Sequence, residues 1–160
     1  MKKQLSAADA LARLQDLCAR SEQCSADMRK KLIAWQIPSA DAERILDALI
    51  DDRFVDDRRF ARAFAADKMR FSGWGRYKIM RGLMAKRIDR ATIDHALEAL
   101  DVDEYASTAR RVLISKARAI AEGNTYEGRT KLFRFGASRG FETDLITRLI
   151  RAENLWEPRD

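Results

Sequence analysis

Apolar residues recur along this chain three and four positions apart, the spacing of a helix with one buried face. Nine helical segments follow from that period and from capping residues. The first is predicted from about Ala7 to Arg20, with Ser6 as N-cap and Leu11, Leu14 and Cys18 on one face. The second follows Ser25, carries Met28, Leu32 and Trp35, and must stop near Ile37 because Pro38 disfavours helical geometry in the residue before it. Ser39 is expected to cap a third, which holds Ile45, Leu46 and Leu49. Asp56 is placed to cap a fourth, with Phe60 and Phe64 one turn apart, ending before Ser72-Gly73.

A fifth helix is predicted from near Gly75 to near Arg87, with Ile79, Met80, Leu83 and Met84 as its apolar face. Asp89 caps a sixth with Ile93, Leu97 and Leu100. The seventh runs from about Glu104 to Ala121, and Gly123-Asn124 is read as its left-handed C-terminal turn. Thr125 caps the eighth and Gly140 closes it. The ninth, from about Thr143 to Ala152, carries Leu145, Ile146, Leu149 and Ile150.

The pattern repeats. Shifted by 51 positions, Leu32 falls on Leu83, Ile37 on Ile88, Leu46 on Leu97 and Leu49 on Leu100; shifted by a further 53, Ile88 falls on Phe141 and Ile93 on Ile146. The chain therefore reads as three units of three helices, each of about fifty residues: 1–54, 55–102 and 103–160. Units this small bury little alone and gain stability from their neighbours, which predicts an all-α, elongated and curved array of tandem repeats.

Composition agrees with helices, since the 160 residues include only two prolines and seven glycines to punctuate strands and turns. No stretch approaches a membrane span and no apolar signal core opens the chain, so a cytoplasmic protein is expected. Cys18 and Cys24 match no metal motif, and one histidine, His95, removes most routes to zinc sites or histidine catalysis. No metal, no cofactor and no enzymatic activity are expected.

Charge changes the picture. Residues 1–52 hold 8 basic and 9 acidic side chains, residues 53–100 hold 12 and 6, and residues 101–160 hold 11 and 10. The excess sits in unit two. Between Arg70 and Arg87 there are six cations, Arg70, Arg76, Lys78, Arg81, Lys86 and Arg87, and no acid, with Phe71, Trp74 and Tyr77 among them. On a helix Lys78, Arg81 and Lys86 lie opposite Ile79, Met80 and Leu83. A second acid-free run, Arg129, Lys131, Arg134 and Arg139, occupies the corresponding helix of unit three. Such a face suits phosphates or an acidic protein, and its plain alternative is a solvated helix surface.

Other candidates carry less. Asp51, Asp52, Asp56 and Asp57 are better explained by helix ends than by acid–base chemistry, Asp57 by the positive end of a helix dipole. Ser72-Gly73-Trp74-Gly75 lacks P-loop spacing and reads as a turn. His95 shares its repeat position with Arg44 and Arg148, an exposed face. Met28, Met69, Met80, Met84 and Trp35 are assigned to packing.

The run from Leu49 through Asp51-Asp52-Arg53-Phe54-Val55-Asp56-Asp57-Arg58-Arg59-Phe60-Ala61, followed by Phe64, Lys68, Gly75-Arg76-Tyr77-Lys78-Ile79, Leu83 and Lys86-Arg87-Ile88, resembles the signature of the RecX family. The resemblance covers nearly the whole chain and is strongest from about Ala48 to Leu100. It differs where Lys86-Arg87 replaces the family's Lys-Gly and where Trp74 precedes Gly75. It implies a non-enzymatic regulator of the RecA recombinase that lodges in the groove of a RecA filament on DNA, modulating assembly, strand exchange and ATP hydrolysis. It also implies direct binding of single- or double-stranded DNA. The contact residues expected are Arg70, Arg76, Lys78, Arg81, Lys86 and Arg87 from unit two and Arg129, Lys131 and Arg134 from unit three, on a monomer. An autonomous helical DNA-binding protein is the competing reading.

Overall fold

The computed structural model describes residues 4–152 and 155–156. Among them nine helices and no strand occur: α1 Ala7–Arg20, α2 Ser25–Ala34, α3 Ser39–Asp51, α4 Asp57–Ser72, α5 Arg76–Ala85, α6 Arg90–Glu98, α7 Val102–Ala119, α8 Tyr126–Ser138 and α9 Thr143–Ala152. The caps are local chemistry. Ser6, Asp56, Asp89, Asp101 and Thr125 each accept the N–H three residues on, a contact typically stabilising a helix by about 1 kcal/mol.

The repeat is visible in one turn built three times. Gln36, Arg87 and Gly140 follow the second helix of each unit with φ of 58°, 56° and 91°. Behind each, the N–H of Ile37, Ile88 or Phe141 donates to the carbonyl of Leu32, Leu83 or Gly136, closing the helix in a Schellman turn. All three following residues are buried. Arg87 therefore keeps the turn in which a glycine is expected, at a conformational cost of about 1 kcal/mol.

Some expected details move. Pro38 occupies the N-cap position of α3 and Ser39 is its first helical residue. The α7 helix stops at Ala119, its extended cap Ile120 turns the chain away, and Gly123 with φ 60° belongs to the turn beyond. Met84 is 54% exposed, so the apolar face of α5 rests on Ile79 and Leu83 with Met80 at its edge.

Two cores form. Ala10, Leu14, Met28, Leu32, Ile45, Leu46 and Leu49 pack the first, closed by Val55. The second is continuous from α4 to α9, joining Phe60, Met69, Ile79, Leu83 and Ile93 to Tyr105, Leu113, Leu132, Phe141 and Ile146. Substantial helix packing links α1–α3 to one another and α4 to α7, and none is found between α1–α3 and α7–α9 among the described residues. The units thus follow in line. The accessible surface is 10410 Å² for 18.3 kDa, against roughly 8,100 Å² for a compact monomer of that mass, which fits a drawn-out row.

Candidate functional site

The basic helix α5 is held at its start by the backbone of unit three. The Gly75 N–H donates to the Arg139 carbonyl at 2.8 Å and the Tyr77 N–H to the Gly140 carbonyl at 3.0 Å. A Cβ on Gly75 would lie 2.3 Å from the Gly140 carbonyl carbon, and one on Gly140 would lie 2.3 Å from the Lys78 nitrogen. The glycines permit contact between two chains of backbone, which explains Ser72-Gly73-Trp74-Gly75 better than any phosphate loop.

Arg76 completes this anchor. Its N–H donates to the Tyr105 hydroxyl at 2.9 Å, its guanidinium lies 3.9 Å from the Tyr105 ring centroid, and it pairs with Glu142 at 3.0 Å. The Tyr105 hydroxyl in turn donates to Glu142. Burial, and then the carboxylate that accepts its proton, push the Tyr105 phenol well above its ordinary range.

The nine expected contact residues divide. Arg70 forks onto Glu104 at 2.5 and 3.2 Å, Lys86 reaches Asp27 of unit one at 2.6 Å, Lys131 pairs with Glu122, and Arg129 donates to Asn124 at 3.0 Å. With Arg76, these five already have partners inside the chain. Lys78, Arg81, Arg87 and Arg134 have no carboxylate partner among the described residues. Lys78 rests 4.7 Å from the Trp74 ring centroid, and Arg81, Arg87 and Arg134 are exposed. On α5 the exposed Tyr77, Arg81 and Met84 form a single outward stripe beside them.

A second cationic surface was not singled out by the sequence. Between the end of α4, the middle of α7 and the end of α8 lies an open groove of about 490 Å³, whose lining includes Phe71, Arg111, Lys116, Phe135 and Arg139 and no acid. Its signal was available: from Tyr105 to Ala121 the sequence has Arg110, Arg111, Lys116 and Arg118 and no carboxylate. Counting whole segments hid it, because Asp101, Asp103 and Glu104 stand just before.

Acid–base and nucleophilic chemistry find little support. Asp56 caps α4, and Asp57, in the first turn of α4 as expected, also spans units: the Ser25 N–H and hydroxyl donate to its two oxygens at 2.8 and 2.6 Å, closing α2 where Cys24 has no capping side chain. Burial raises both cysteine thiols, which disfavours the thiolate. His95 is exposed. Among the described residues no His, Cys, Asp and Glu cluster could hold a metal, and no helix is long and apolar enough to cross a membrane.

Comparison with known proteins decides the family. The profile for the RecX second three-helix domain matches residues 56–97, and that for the third three-helix domain matches 103–150. The chain belongs to the RecX family. A Regulatory protein RecX of Pseudomonas fluorescens is 29% identical over 140 residues, covering 88% of each chain. One of Clostridium botulinum is 28% identical over 110 residues, and there this RecX-family chain spans about half the relative's length, 51%. A crystal structure of regulatory protein RecX shares the fold with a TM-score of 0.82 at 22% identity, over 92% of this chain and 72% of that one. RecX from Lactobacillus salivarius gives 0.76 at 19% identity, over 91% and 97%.

Proposed function

We propose that this protein is a cytoplasmic, monomeric and non-enzymatic regulator of RecA that acts on RecA–DNA filaments in DNA repair and recombination. The observation that carries this reading is the set of exposed or ring-stacked cations without a carboxylate partner among the described residues, Lys78, Arg81, Arg87 and Arg134, spread over two units in a family whose curated members are named regulatory. Cations distributed along a row reach several repeats of a filament at once, and modest contacts then add through effective concentration. The unit limits near residues 54 and 102 are part of this reading.

The test is RecA-driven strand exchange and ATP hydrolysis on single-stranded DNA, with the protein titrated in. Inhibition is expected, and Lys78→Ala, Arg81→Ala and Arg134→Ala together should weaken it about tenfold or more, each lost charge contact contributing roughly 0.5–1 kcal/mol. Arg70, Arg76 and Lys86 are left intact, because they hold the chain's own structure. The acid-free groove beside α7 favours a second reading, autonomous DNA binding. Salt-steep binding to DNA without any effect on RecA would select it.

A further inference from the structure

Phe71 is 83% exposed, near the end of α4, an unusual place for a bare aromatic ring. It is flanked on both sides by oriented arginines. The Arg111 guanidinium donates to the carbonyl of Arg70, the residue before it, at 3.4 Å, and the Arg139 guanidinium donates to the carbonyl of Ser72, the residue after it, at 3.1 Å. Across the groove Lys116 and Arg139 lie 5.1 and 5.2 Å from the centroid of one ring, Phe135. Three cations therefore converge on one aromatic-walled groove whose lining has no carboxylate.

Closing the last carbonyls of α4 accounts for one donor on each arginine. A guanidinium has five N–H donors, so most of both remain available. Capping also leaves Phe71 unexplained, since an exposed ring contributes nothing to it. Glu22 and Asp67 line a different groove, shared with Phe71 from its other side, so an anion is directed to the α7 side.

From this we infer that the groove between α4, α7 and α8 binds one nucleotide unit, its phosphate held by Arg111, Lys116 and Arg139 and its base stacked on Phe71. The cavity of about 490 Å³ suits a single nucleotide, and a stacked ring requires a base outside a duplex. The ligand is either a free nucleoside phosphate or one residue of a single strand. An acidic polypeptide would use the cations but has no flat ring to stack as a matter of course. The inference rests on the regulatory reading for its biological setting alone, because its test uses the isolated full chain without RecA.

The experiment is fluorescence anisotropy of a labelled oligothymidylate, with thymidine monophosphate and a polyglutamate peptide as competitors. Phe71→Ala, at an exposed position, should fold normally and bind about tenfold more weakly, while Phe71→Trp restores binding. Arg111→Ala with Lys116→Ala should lower the salt slope by about one to two, as two phosphate contacts require. Competition by the monophosphate assigns a free nucleotide; binding of the strand with no such competition assigns a strand residue. Unchanged binding in both Phe71→Ala and the double variant overturns the site. Displacement by polyglutamate with equal loss for Phe71→Ala and Phe71→Trp overturns it in favour of an acidic protein partner.

Discussion

Where unit one meets unit two, the contacts are mainly polar: Asp57 closes α2, Lys86 reaches Asp27, and Arg59 reaches Glu22 at 2.6 Å. Glu22 leaves its second oxygen buried without a partner among the described residues, and the apolar share comes from Cys24 and Ala26 on one side and Val55, buried in the first core, on the other. Where unit two meets unit three, one apolar core crosses the boundary and the backbones touch at Gly75 and Gly140. Partly exposed ion pairs fix direction but stabilise little, whereas shared burial of large side chains stabilises by kilocalories each. Units two and three are therefore expected to open as one body, and unit one as an attached arm whose position salt loosens.

The strongest way to break the contrast is Gly140→Ala. Its methyl would meet the Lys78 backbone at a φ of 91°, so the seam must open, and a loss of about 4 kcal/mol is expected in urea unfolding of the α4–α9 body. Next comes Tyr105→Phe, which removes the hydroxyl shared by the Arg76 N–H and Glu142 and leaves a part-buried carboxylate oxygen unpaired; about 2 kcal/mol should be lost. This variant also sharpens the pH dependence. Because the folded phenol is raised above its ordinary value of 10.0, folded protein keeps a proton that unfolded protein releases. Tyr105 stability is full below that pH and falls as pH rises above it, a decline that Tyr105→Phe should lack in alkaline melting curves.

Smaller effects belong to the polar junction. Asp57→Ala removes the cap of α2 and should cost about 1 kcal/mol, read as faster amide exchange in α1–α3 with α7–α9 unchanged. Lys86→Ala should cost roughly 0.5 kcal/mol or less, since solvent screens a pair whose lysine side chain is 36% exposed, and high salt should erase even that difference.

Helix existence, the capping aspartates Asp56 and Asp89 and the repeat were legible because each depends on neighbours within one or two turns, whereas the Asp101 cap of α7 was missed and that helix begins at Val102, ahead of the expected Glu104. Of the three matching turns only the one at Gly140 was legible, because Gln36 and Arg87 adopt the same positive φ without a glycine to announce it. Partners across units were not legible: nothing near Asp57 in sequence announces Ser25, and nothing near Lys86 announces Asp27. The charge count on unit two thus overstated the outward cations, since a side chain tied to a distant carboxylate looks identical in sequence to one facing solvent. Gly75 showed the same limit, read locally as a turn although its need for glycine comes from Gly140.

Native-state hydrogen exchange across the whole chain, at low denaturant and moderate salt, tests the two-body account most directly. Amides of α4 through α9 should share one high opening free energy, with those of α1–α3 opening at a lower one that falls further as salt rises. A single opening energy for all nine helices, or α7–α9 opening independently of α4–α6, would contradict it.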